Sequence, residues 1–364
     1  MKTDVEDLPA LTSLRFFAAA SIVIYHAKLY TSWPLLGDAP ATLISGVSFF
    51  FALSGFILMH VYSNRPEVGY WQFLKLRLAR VWPVHAATFL LTATLVTPAT
   101  FHGVGWFSEV WTAISNLLLT HAAVPYMAYG FSWNAVSWSI STEFFFYMAF
   151  PLLLPCILRA WPIWLGYTFI LAFSICFALY LAGLPVISDN VYELTLFSGI
   201  YTNPAVRGLE FVLGMATWVL WDRHLRRRSF SLVCWSNVEF AAILAAAFWF
   251  MPGGGFDRVG LYVIPGWAQP WYGPAGSSLL FAILIAVFAG GRGVGGRFLA
   301  FRPLVWLGEV SFCIYMLHMI LFKVVAAKDQ ALLSLEFYVP LLLMLSAALH
   351  YFVELPARRV IRRL

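Results

Sequence analysis

Charge is scarce in this chain: Asp, Glu, Lys and Arg make up only 11% of 364 residues, against 61% hydrophobic and 18% aromatic. That balance excludes an ordinary soluble globule, whose surface needs far more polar side chains. Cysteine is scarce too. Cys156, Cys176, Cys234 and Cys313 show no paired spacing, which argues against a disulfide framework or a zinc site. The short alternating segments of a barrel are lacking, as are any short-period repeat and any low-complexity tract. No signal-peptide pattern opens the chain either. Its first apolar run is full-length and follows Asp4, Glu6 and Asp7 beside Lys2, so an uncleaved first span is expected.

What is present is a series of apolar runs of about twenty residues, the length of a helical bilayer crossing. They fall at roughly 12–31, 43–62, 81–98, 136–158, 162–183, 204–221, 234–251, 274–290, 304–325 and 336–353. The expected architecture is a single-domain (1–364), all-α polytopic membrane protein of about ten transmembrane helices. A further run, 106–125, is ambiguous. If it does not span, both termini share one side with most of the basic residues, including Arg65, Lys75, Arg77, Arg80, Arg159, Arg226 to Arg228, Arg292, Arg297 and Arg358. That asymmetry makes this side cytoplasmic and 106–125 interfacial or re-entrant. The net charge of +6 follows from these loops. No nucleic-acid partner is needed to explain it, and anionic lipid headgroups suffice.

Several spans carry residues that are costly in lipid. In LTSLRFFAAASIVIYH, Arg15 and His26 are three turns plus about 20° apart, so both lie on one helical face, roughly 16 Å apart along the axis. A cytoplasmic flank and a core histidine would give the same pattern. In FLKLRLARVWPVH, Lys75, Arg77 and Arg80 sit at the cytoplasmic mouth of the third span. Arg77 and Arg80 form a two-pronged arrangement suited to phosphate oxygens, although positive-inside flanking explains the same loop. In WSISTEFFFYMAFP, Ser139, Glu143 and Tyr147 share a stripe, with Glu143 near the depth of His26; the carboxylate could orient the imidazole or could pair with an arginine. Arg207 and Glu210 share a face in the sixth span and could simply neutralise one another. Ser311, Tyr315 and His318 line up in the ninth, where His318 suits a structural hydrogen bond as well as a catalytic one. Glu354 and Arg358 read as a structural terminus, with Pro356 expected to end the helix between them. Histidines 60, 85, 102, 121, 224 and 350 form no evident constellation. The stretch 251–274, rich in Gly, Pro and aromatics, suits sugar rings or an interfacial aromatic belt.

Six stretches in order, LTSLRFFAAASIVIYH, the RLAR before Pro83, WSISTEFFFYMAFP, RGLEFVLG, GEVSFCIYMLH and the closing VELP, make the chain resemble the acyltransferase 3 family of integral membrane acyltransferases. The resemblance implies ten core helices in the cell inner (cytoplasmic) membrane. It also implies transfer of an acyl group, usually acetyl from acetyl-CoA as co-substrate, onto a carbohydrate hydroxyl of a surface or exported glycan or its lipid-linked precursor. Arg15, His26, Arg77, Arg80 and Glu143 match positions regarded as functional in that family. Two departures are visible. No hydrolase-like extracytoplasmic domain is appended, which points to short members similar to enzymes that decorate exopolysaccharides such as xanthan. The motif reads STEFFFY where many relatives carry a second polar residue after the Glu, which argues against a two-carboxylate mechanism.

The chemistry expected from these parts places the CoA phosphates on Arg77 and Arg80, helped by Lys75 and Arg15, with the pantetheine arm between spans one and three. His26, oriented by Glu143, acts as general base, and no metal is called for. Ser139, Arg207 and Tyr315 are candidate oxyanion donors, and Glu210 and His318 candidate acceptor contacts. An acyl-His26 intermediate is the second variant. The competing reading is a proton-coupled transporter or flippase with His26 and Glu143 as a relay. The absence of an inverted repeat and of paired broken spans argues mildly against it.

Overall fold

The structure is a computed structural model that describes residues 6–31, 33, 41–65, 67–96, 106–328 and 333–363. Among them the chain is helical throughout, joined by turns, with no strand. The long helices are α1 (Pro9–Tyr30), α2 (Gly46–Tyr62), α3 (Tyr70–Leu95), α4 (Trp106–Leu117), α5 (Trp138–Leu181), α6 (Pro204–Leu220), α7 (Leu232–Phe250), α8 (Ser278–Phe288), α9 (Arg302–Lys328), α10 (Leu335–Leu349) and α11 (Leu355–Arg363). Seven stretches are long and apolar enough to cross a membrane: Pro9–Tyr30, Thr42–Tyr62, Ala135–Leu181, Leu232–Phe250, Gly266–Phe288, Arg302–Lys328 and Leu335–Val360. The chain is an all-α polytopic membrane protein.

Helix α5 runs through both of the spans expected between 136 and 183. Its backbone breaks at Ala160 (φ −148°, ψ 53°), two residues before Pro162. The proline ring removes a backbone donor and crowds the preceding turn, so one 44-residue element bends into two lengths of about twenty residues. Helix α3 differs from expectation. It begins at Tyr70, eleven residues ahead of the apolar run, and carries Lys75, Arg77 and Arg80 inside the helix rather than in a loop. Phe73, Leu74, Ala79 and Val81 are buried along this basic stretch, which gives it a helical packing face despite its charge. The ambiguous run resolves into α4, too short to cross, followed by a turn at Leu119 (φ 57°) and a buried one-turn helix at His121–Ala123. His85 Nε2 bonds the Asn116 carbonyl at 2.9 Å and its ring stacks on His121, so this segment is tied into the protein.

The helix at the C-terminal end also departs from expectation. Pro356 does not end it: a π turn at His350–Glu354 leads directly into α11. The wider π turn absorbs the missing proline N–H while keeping the axis continuous.

Two close helix pairs hold the bundle. A Cβ on Gly308 of α9 would lie 1.9 Å from the Thr12 carbonyl oxygen of α1, and one on Gly214 of α6 would lie 1.8 Å from that of Ala52 on α2. In lipid no hydrophobic force drives helices together, so such small-residue contacts supply the packing. Helices α1 and α9 run side by side in the same direction, touching at Thr12 and Gly308 and again at His26 and His318.

Candidate active site

A cavity of about 250 Å³ lies among α1, α2, α3, α5 and α9. Three cations reach it from two helices: Arg15 from α1, and Arg77 and Arg80 from α3. The i,i+3 spacing of the α3 pair sets both guanidiniums on the inward face. Arg77 stacks over the Tyr62 ring at 5.3 Å, while its Nε is buried without an acceptor. Lys75 stands on the exposed side of α3 and does not line the cavity. The carboxylate present is Glu143, whose Oε1 accepts from Ser54 Oγ at 2.8 Å and Tyr147 OH at 2.7 Å. Three cations and one anion leave the cavity with a surplus of positive charge, the environment that phosphate oxygens require.

One turn along α5 from Glu143, Ser139 Oγ meets Tyr315 OH of α9 at 2.8 Å, and Tyr315 OH also donates to the Val136 carbonyl at 2.9 Å. Both side chains line the cavity. One turn further along α9 lies His318, fully buried, with Nδ1 2.6 Å from the Tyr315 carbonyl. A carbonyl only accepts, so this contact assigns the proton to His318 Nδ1 and the lone pair to Nε2. That lone pair faces His26 Nδ1 at 3.0 Å. His26 therefore carries its proton on Nδ1 and a lone pair on Nε2. A backbone carbonyl thus sets the tautomer of an imidazole on another helix.

Of the residues expected to act together, Arg15, Arg77, Arg80, Glu143, Ser139 and Tyr315 share the cavity, while His26 and His318 form a pair just beyond it. The expected His26 and Glu143 pair does not form. Glu143 sits one turn below Ser139 and is held by Ser54 and Tyr147, whereas His318 takes the orienting place beside His26. Arg207 and Glu210 neutralise each other at 2.9 Å, both 1% exposed. Arg207 also bonds Ser48 Oγ at 3.0 Å and lies over the rings of Phe51, Trp138 and Tyr201. Neither residue lines the arginine cavity.

Sequence reasoning paired Glu354 with Arg358 but missed that His350 and Cys313 join them, and it missed a second cluster altogether. His350 Nδ1 donates to Glu354 Oε2 at 2.7 Å, Cys313 Sγ lies 3.4 Å from the same oxygen, and Arg358 bonds Oε1. The Cys313, His350 and Glu354 side-chain atoms lie within 4.8 Å of one another, close enough to share a metal ion. The carboxylate already accepts from three donors, which makes the group a satisfied polar knot where α11 leaves α10; the i,i+4 spacing of His350 and Glu354 was the available signal. Elsewhere, buried Glu239 of α7 accepts from the backbone N–H groups of Gly293 at 2.8 Å and Gly296 at 2.9 Å. His102 falls outside the described residues.

A bundle with a cationic cavity at one depth and an oriented imidazole at the next has the layout of a membrane enzyme rather than of a structural protein. Residues 8–353 match the acyltransferase 3 family, described as an acyltransferase domain, and the chain belongs to that family. It is similar to the acyltransferase MdmB of Streptomyces mycarofaciens, 28% identical over 89% of this chain and 81% of the relative. It is also similar to the exopolysaccharide production protein ExoZ of Rhizobium meliloti, 29% identical over 79% of each. With the O-acetyltransferase OatA of Staphylococcus aureus it is 24% identical over 97% of this chain but only 57% of that longer protein. No solved structure matches. The protein is a membrane acyltransferase.

Proposed function

We propose that this protein transfers an acyl group, most simply acetyl, from acyl-CoA to a hydroxyl of an exported polysaccharide or its lipid-linked precursor. The observation that carries the reading is the order of layers along α1 and α9: arginines around a cavity, then Ser139 and Tyr315, then the His26 and His318 pair. The basic face is the cytoplasmic one, with about ten crossings and both termini on that side, in the inner membrane. Arg15, Arg77 and Arg80 hold the CoA phosphates, and Lys75 guides them from the exposed side of α3. The thioester passes Tyr315 to reach His26.

His26 Nε2 then removes the proton of the sugar hydroxyl as its oxygen attacks the thioester carbonyl; the C–S bond breaks and CoA leaves as thiol after taking up that proton. Tyr315 or Ser139 supplies the hydroxyl donor for the oxyanion by turning its O–H away from the Val136 carbonyl. Glu143 offsets one of the three positive charges of the arginine layer. The carbohydrate acceptor is supported by the likeness to ExoZ, named for exopolysaccharide production.

The test is mass spectrometry of the host's exported polysaccharide, paired with CoA binding by purified protein. His26→Ala should abolish acylation and still bind CoA, whereas Arg77→Ala and Arg80→Ala should lose CoA binding. Normal acylation by the His26 variant would refute the proposal. Flux of an unmodified substrate without acyl-CoA consumption would instead favour a transporter.

A further inference from the structure

A second cavity, about 550 Å³, opens on the basic side of the bundle between the turn that follows α6 and the segment before α9. Five arginines line it: Arg226, Arg227, Arg228, Arg292 and Arg297. Among the described residues no carboxylate does. Three of the five are already engaged, Arg228 through its Nε–H on the His224 carbonyl at 3.3 Å. Arg226 pairs with Asp222 at 2.9 Å and Glu6 at 3.3 Å, and Arg292 donates to the carbonyls of Leu225, Arg226 and Arg228 while lying over the Trp235 ring at 5.3 Å. Arg227, Arg228 and Arg297 are exposed, and their guanidiniums have no acidic partner among the described residues.

The site is built rather than accidental. Arg292 pins the Arg226 to Arg228 turn from one side, and Glu239 fixes the Gly293 and Gly296 backbone that carries Arg297 from the other. Trp235, only 6% exposed, lines the cavity and leaves its indole N–H without an acceptor. Phe230 and Leu232 also line it and are exposed, as are the neighbouring Val233 and Phe298. A free polyanion has no use for that apolar fringe, whereas a lipid has an anionic head for the arginines and chains for the fringe.

We infer that this cavity binds the phosphate of an anionic phospholipid, with Arg227, Arg228 and Arg297 on the phosphate oxygens and the Trp235 N–H as a fourth donor. It is separate from the arginine cavity of α1 and α3 and does not depend on the proposed acyl donor. The site would seat the α6–α7 turn in the basic leaflet and hold the bundle at a fixed depth.

The experiment places the purified protein in nanodiscs of phosphatidylcholine mixed with phosphatidylglycerol and counts the phosphatidylglycerol retained on ejection by native mass spectrometry. The wild type should retain it. The triple variant Arg227→Gln, Arg228→Gln, Arg297→Gln should lose retention by roughly a hundredfold, since each basic residue near an anionic surface contributes about a factor of five. Trp235→Phe should weaken it by a smaller factor. All three arginines are exposed, so an unchanged melting temperature will show that the triple variant folds. Equal retention by wild type and triple variant would overturn the proposal. So would displacement of the lipid by free CoA or by inorganic phosphate, which would mark the cavity as a site for soluble phosphates.

Discussion

Replacing His318 separates orientation of the proposed base, His26, from the base itself. His318 touches His26 and the Tyr315 carbonyl, and the cavity lining does not include it. Its proposed work is to hold His26 in the tautomer whose Nε2 carries the lone pair. His318→Leu removes the acceptor for His26 Nδ1–H. A buried hydrogen bond of this kind contributes about 1–1.5 kcal/mol, which corresponds to roughly five- to tenfold in rate. Turnover should therefore fall by about that factor with little change in CoA affinity, while His26→Ala should cost on the order of 10²–10⁴. His318→Gln can present its amide oxygen to the same N–H and should recover part of the loss. The assay is transfer from radiolabelled acetyl-CoA by protein in nanodiscs, with melting temperature as the control for folding. A loss at His318→Leu as large as that of His26→Ala, without recovery by Gln, would place His318 in the chemistry and refute the orienting role. An unchanged rate would refute it as well.

Three further outcomes follow from the packing. Arg77→Gln and Arg80→Gln each remove one charge-assisted contact of about 1.5–3 kcal/mol, so CoA affinity measured by calorimetry should fall about ten- to a hundredfold, with turnover at saturating donor less affected. Gly214→Ala sets a Cβ within 1.8 Å of the Ala52 backbone oxygen, which no side-chain movement can relieve; detergent-solubilised variant should melt well below the wild type. Arg207→Leu strands Glu210 in a site 1% exposed and should cost about 3–5 kcal/mol in chemical denaturation, whereas the double variant Arg207→Leu, Glu210→Leu should recover much of that loss. A double variant as unstable as the single would show that Arg207 is held by Ser48 and the three aromatic rings rather than by its ion pair.

Much of the scaffold was legible because lipid imposes one simple rule, long apolar runs with paired backbone groups. The runs at 136–158 and 162–183 appear on either side of the Ala160 bend, as length alone implied. The beginning of α3 was not legible: a hydropathy window discards a stretch with Lys75, Arg77 and Arg80, although Phe73, Leu74, Ala79 and Val81 give it a buried face. The break expected at Pro356 failed for a different reason, because a π turn is a property of backbone spacing that residue types do not announce.

The site shows the same division between what one helix encodes and what two helices encode. Residues a turn apart, such as Arg77 with Arg80 or Arg207 with Glu210, could be grouped from periodicity. Pairing across helices depends on rotation about each axis and on how closely the axes approach. The Gly308 contact with Thr12 draws α9 onto α1, which brings His318 to His26 and leaves Glu143 with Ser54 and Tyr147. Depth alone had matched His26 to Glu143, since both sit inside spans and a carboxylate is a sensible partner for an imidazole. What depth could not show is that α5 packs most closely on α6, through Phe146 and Phe211, and turns Glu143 toward the arginines. The imidazole pair is thereby kept apart from the charged layer of Arg15, Arg77, Arg80 and Glu143.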